Sequence, residues 1–174
     1  MKKVIIFLLL ICSSCISLPE DYTQIATKIQ RETASQLEKE KGLWAIGDSG
    51  QMYNDIQTMG IEFEYFHLVN LEEARELLVY AIQVFLHNIN SNKEVRPFLH
   101  NYPFTTKNIE ITIWIYQKSG KNPHQGNIEC ITLYQNKLTY KLTAPSKFEL
   151  WPILHEETYA EALEALRKQN STTE

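Results

Sequence analysis

The chain has 174 residues, of which 22% are charged, and a formal net charge of −4. That length suits one domain with a core of its own. The acidic balance argues against a nucleic-acid partner, because neutralising phosphates takes clustered lysine and arginine.

The first element is not part of a fold. Lys2 and Lys3 precede eight apolar residues, Val4 to Ile11, and then come Cys12, Ser13, Ser14 and Cys15. Charge, an apolar run and small residues in that order make an export signal. The run is far short of the roughly 20 residues that span a bilayer. The segment resembles the processing site of bacterial lipoprotein precursors, in which an aliphatic residue and two small ones precede the cysteine that is acylated. Cys12 stands in the aliphatic place, Ser13 and Ser14 are the small residues, and Cys15 is the acylated position. The resemblance implies cleavage between Ser14 and Cys15, a diacylglycerol on the Cys15 sulfur and acylation of the new amine. Two or three chains anchor stably where one does not. Ile16 in place of the aspartate used for inner-membrane retention implies the outer membrane in a host with two, facing the periplasm. Ordinary secretion without lipid is the alternative.

Residues 1–14 are therefore expected to be removed, leaving 15–20 as anchor and tether. Residues 21–169 would form one globular domain and 170–174 a disordered tail. The 160 residues after cleavage carry 15 basic and 21 acidic side chains, a net charge of −6.

A helix is expected over residues 21–41, with Tyr22, Ile25, Ile29, Ala34 and Leu37 on one stripe and Gly42 as its stop. Residues 43–46 read as a short strand, followed by a turn at Gly47-Asp48-Ser49-Gly50. Residues 61–69 alternate, with Ile61, Phe63 and Tyr65 sharing a face. Asn70 and Glu73 have the spacing of a capping box. Beyond them Leu71, Ala74, Leu77, Leu78, Ala81, Ile82, Phe85 and Ile89 carry the best helical periodicity in the chain. A long connection over 91–108, with room for one helical turn, leads to three strands at 109–116, 128–135 and 138–142. A last helix is expected at 156–168, with Glu156 and Glu157 in its first turn, where acids suit the helix dipole. The order α-β-α-β-β-β-α predicts an α+β fold: a mostly antiparallel sheet of about four strands, with helices mainly on one face.

Chemistry-bearing residues are few. Gly47-Asp48-Ser49 resembles the nucleophile block of the SGNH/GDSL-type hydrolases, which implies Ser49 as nucleophile. That family places an Asp three residues before its catalytic His, and here Pro152 stands three before His155. An unactivated serine is a poor nucleophile, and the family's parallel sheet conflicts with a meander, so a glycine-rich turn is the better reading. The five histidines show no metal-ligand spacing, and no cofactor is implied. With Cys15 acylated, Cys130 has no disulfide partner and reads as a buried thiol.

One surface stands out. If the isoleucines of 109–115 face the helices, Trp114 and Tyr116 face away, and Cys130, Thr132 and Tyr134 share that side if the register allows. The expectation is that the helix over 21–41 covers this face. The alternative is a contact surface for a partner. The function so indicated is a non-catalytic interaction or structural role for a lipid-anchored envelope protein, with membrane and envelope-protein partners. A small serine hydrolase using Ser49 and a small-ligand-binding lipoprotein are the alternatives.

Overall fold

The computed structural model describes residues 21–146 and 149–172. The expected signal, anchor and tether, with Ser14 and Cys15, lie outside the described residues. The elements in order are α1 (Tyr22–Lys41), β1 (Trp44–Gln51), β2 (Thr58–Tyr65), α2 (Leu71–Ser91), a 3-10 turn at Arg96–Phe98, β3 (Ile109–Ile115), β4 (Ile128–Tyr134), β5 (Lys137–Leu142), β6 (Ile153–Thr158) and α3 (Tyr159–Thr172). The α+β class holds, with six strands where about four were expected.

The sheet runs β1-β2-β3-β4-β5-β6. Every neighbouring pair is antiparallel except β2 and β3. That parallel pair is joined through α2, since a parallel connection has to cross from one end of the sheet to the other. The strands therefore have two common ends. At one lie Gln51, Thr58, Ile109, Tyr134 and Lys137; at the other lie Trp44, Tyr65, Ile115, Ile128 and Ile153.

All three described helices pack on one face. Ile25, Ile29 and Leu37 of α1, Leu78, Ile82 and Phe85 of α2 and Ala162 of α3 join Ile61, Phe63, Ile111, Ile113, Ile131 and Leu133 in a single core. Each fully buried aliphatic or aromatic side chain there stabilises by roughly 1.5–3 kcal/mol relative to exposure. The helix ends are closed as the sequence suggests. Asp21 caps α1 by accepting from Thr23 N at 3.0 Å, and Gly42 ends it at φ 70, a left-handed conformation costly for any other residue. Asn70 and Glu73 form the expected capping box on α2. Among the described residues no helix is long and apolar enough to cross a membrane.

Four expectations are corrected. Gly47-Asp48-Ser49-Gly50 is not a turn but the second half of β1, paired through Gln51 with Thr58. The glycines disguise an edge strand that bulges between Ala45 and Gly47. Residues 153–158 are a strand, so Glu156 and Glu157 precede α3 and do not form its first turn. The helix runs on to Thr172, past the expected start of a tail. And α1 does not cover Trp114: it lies on the core side with α2, on the face opposite.

Candidate functional site

The sheet face turned away from the helices carries the side chains that alternate with the core isoleucines. In β2 these are Glu62 and Glu64, beside Thr112 and Trp114 of β3. Thr112 and Trp114 in turn face Thr132 and Cys130 of β4. Trp114, Cys130 and Thr132 therefore share one face, as the strand parity predicts.

A loop, not a helix, partly covers it. Between β5 and β6, residues 149–152 bring Trp151 onto Trp114, with ring centroids 5.8 Å apart and planes tilted by 58°. Such offset, tilted contacts are what the ring quadrupoles favour. Each indole is fixed by a carboxylate: Trp114 Nε1 donates to Glu62 Oε1 at 2.5 Å, and Trp151 Nε1 donates to Glu129 Oε2 at 3.0 Å. Tyr116 stacks on Phe66 at 5.7 Å. Burial, then the charges of Glu64, Glu129 and Glu62, push its phenol above the ordinary value, so three acids converge on this corner.

The patch is only partly wet. Trp114 is half-buried, whereas Trp151 is 41% exposed and Leu150 88%. Ile153 and Leu154, which follow in β6, are also exposed. A depression of about 520 Å³, lined by Glu129, Thr143, Leu150 and Trp151 among others, opens beside the tryptophan pair. Aromatic planes with carboxylates at their edges offer a partner apolar contact and fixed acceptors at once.

Tyr134 shares the face of Cys130 and Thr132 by strand parity but stands apart along it: it is exposed and lies four residues along β4 from Cys130, roughly 13 Å towards the other end of the sheet. Of the three expected partner-face residues, the structure brings Trp114 and Tyr116 to one site and leaves Tyr134 at another. Trp151, Glu62 and Glu129 were not foreseen. The signals were present: Glu62 and Glu64 alternate with Ile61 and Phe63, and Leu150-Trp151-Pro152-Ile153-Leu154 is an apolar run that no expected element absorbed.

Ser49 sits at the sheet edge. Its hydroxyl lies over Gly60, where any Cβ would overlap it, and Glu62 and Glu110 line the small cavity beside it. His155 is on β6, five strand spacings away, or roughly 24 Å across the sheet. That imidazole cannot reach the Ser49 hydroxyl to act as its base. Among the described residues no three His, Cys, Asp or Glu side chains are grouped to hold a metal ion.

Cys130 is free and 3% exposed, facing the Trp114 side of the sheet. Burial pushes its thiol up to about 11, with Glu129 and Glu62 adding to the effect and Lys141 opposing it. The thiolate is the reactive form, so iodoacetamide at pH 8 should leave folded protein unmodified and label it only in denaturant. Rapid alkylation of the native protein, read by mass, would show that the site opens in solution.

No protein family, curated protein or solved structure matches this chain.

Proposed function

We propose that this is a bacterial lipoprotein, held in the cell envelope through acylated Cys15, whose domain has a non-catalytic role and engages another envelope component on its helix-free sheet face. The observation that carries the binding role is the pair Trp114 and Trp151, oriented by Glu62 and Glu129 on a face that none of the described helices covers. Tryptophan anchors surrounded by polar groups dominate many protein interfaces. The anchor rests on the order of charge, apolar run, small residues and Cys15, and on the same resemblance the outer membrane is the proposed site.

The test is cross-linking in intact envelopes of wild type, Trp114→Ala and Cys15→Ala. Because Trp114 is only half-buried, its truncation should cost about 1–2 kcal/mol, below the 3–5 kcal/mol of a fully buried tryptophan. The variant should stay folded and membrane-associated yet lose its cross-linked partner. Cys15→Ala should leave the membrane fraction or remain unprocessed. A folded Trp114→Ala protein that keeps the same cross-links would remove this face from the function.

A further inference from the structure

The strand registers give the domain two distinct ends. The described chain begins at Asp21, at the start of α1, and Tyr22 pins that start to the β1–β2 turn: its hydroxyl donates to the carbonyls of Met52 and Tyr53, both at 3.1 Å. Its ring also stacks on Phe98 at 5.6 Å. The same end holds the loop before β3 and the tight β4–β5 turn, tied together where Asn136 N donates to the Thr106 carbonyl at 3.2 Å.

Three tyrosines are exposed at this end. Tyr53 is 90% exposed in the β1–β2 turn, Tyr102 49% in the loop before β3, and Tyr134 56% at the last position of β4. The guanidinium of Arg96 lies 4.4 Å over the Tyr102 ring. Folding leaves all three on the surface, although tyrosine has an apolar body that water serves poorly. Tyrosine is enriched at membrane–water interfaces because its ring suits the acyl boundary and its hydroxyl the headgroups.

The length of chain before Asp21 limits where this end can be. Cys15 is six residues before Asp21, so a fully extended link spans no more than roughly 20 Å. The eight residues of β2, seven rises from Thr58 to Tyr65, put the opposite end of the sheet roughly 23 Å further on. We infer that the end bearing Tyr53, Tyr102 and Tyr134 lies on the bilayer that holds the anchor, with the tyrosines at headgroup level. The inference rests on the reading of Cys15 as the lipid site. Charge contributes little to it, since Lys93, Arg96 and Lys107 are offset by Asp21, Asp55 and Glu94 at the same end, and Lys137 is paired with Glu156. Trp114 and Trp151 then point away from this membrane, where a partner can reach them.

The tryptophans make the orientation measurable. Trp44, Trp114 and Trp151 all lie in the half of the sheet remote from the tyrosines. Lipidated full-length protein is reconstituted into phosphatidylethanolamine–phosphatidylglycerol vesicles, with or without phospholipids brominated near the headgroup end of their acyl chains. Wild-type fluorescence should be unchanged by bromine. Tyr53→Trp and Tyr134→Trp, at exposed positions that tolerate substitution, should each add a quenched component. Absence of quenching in both variants, or quenching of the native tryptophans, would overturn the orientation. The mass of the N-terminal peptide separates the two failures. An unacylated Cys15 overturns the anchor reading and this inference with it, whereas acylated Cys15 without quenching overturns the orientation alone.

Discussion

Glu157→Ala should cost the domain about 3–5 kcal/mol, the range for removing one partner of a buried ion pair. Glu157 Oε1 accepts from Arg75 Nε and from the Tyr140 hydroxyl, both at 2.8 Å, and Oε2 lies 3.4 Å from His155 Nε2. Arg75 and Glu157 side chains are only 10% and 6% exposed, and Tyr140 is fully buried. Burial works against the Arg75 charge, but the hydrogen bond and charge of Glu157 outweigh it and hold the guanidinium above its ordinary value. Burial first, and then Glu157, keep the Tyr140 phenol protonated far above its usual range. Alanine at 157 would leave a guanidinium and a hydroxyl without their acceptor. Because the larger cost is an unpaired charge and not a lost attraction, the double substitution Arg75→Met/Glu157→Leu should restore part of the loss, about 1–3 kcal/mol remaining for the Tyr140 hydroxyl that still lacks its acceptor. Urea unfolding of the three proteins checks this; a loss under 1 kcal/mol for Glu157→Ala would mean that water reaches the pair in solution.

That network also marks where the sequence stops being readable. Glu156 and Glu157 stand just before an apolar-periodic segment, which is how a helix begins, so they read as its first turn. In the fold they alternate across β6: Glu156 pairs with Lys137 at 3.3 Å on the wet face, and Glu157 turns inward to Arg75, 82 residues earlier. Nothing local announces a partner that distant. Strand β1 was cut short for a different reason, since Gly47 and Gly50 carry turn propensity that the pairing with β2 overrides. Elements with a strong period were legible. The stripe and capping box of α2 and the isoleucine alternation of β3 specify both the element and its buried side. The same parity placed Trp114 and Tyr116 on one face correctly. It could not say what covers that face, because the one-sided stripe of α1 fits either side of a sheet. The side is set by packing, in which α1 shares a layer with α2: Asn88 Nδ2 donates to Thr33 Oγ1 at 3.0 Å, and the Tyr80 hydroxyl donates to Glu40 at 2.7 Å. Trp151 stands out only as part of an apolar run that no periodic element absorbs; its place beside Trp114 is not legible, because a loop delivers it and loops carry no period.

The other large effect should come from that central helix. Phe85 is fully buried on the stripe of α2, which packs against α1, α3, β3 and β4. Phe85→Ala removes the ring from a fully buried place on a helix that packs against four other elements, so a single local shift should not fill the space. The lost transfer energy and the residual cavity together cost about 3–5 kcal/mol for a buried phenylalanine. For a domain of this length each kcal/mol lowers Tm by roughly 2–4 °C, so the midpoint should fall by roughly 6–20 °C. Phe85→Leu keeps most of the volume and should lose clearly less. The pair discriminates packing from helix propensity, because leucine and alanine are both good helix formers whereas only alanine leaves a cavity. Equal losses for the two variants in a thermal melt would mean that the ring is not enclosed, and that α2 does not sit at the centre of the helical layer as described.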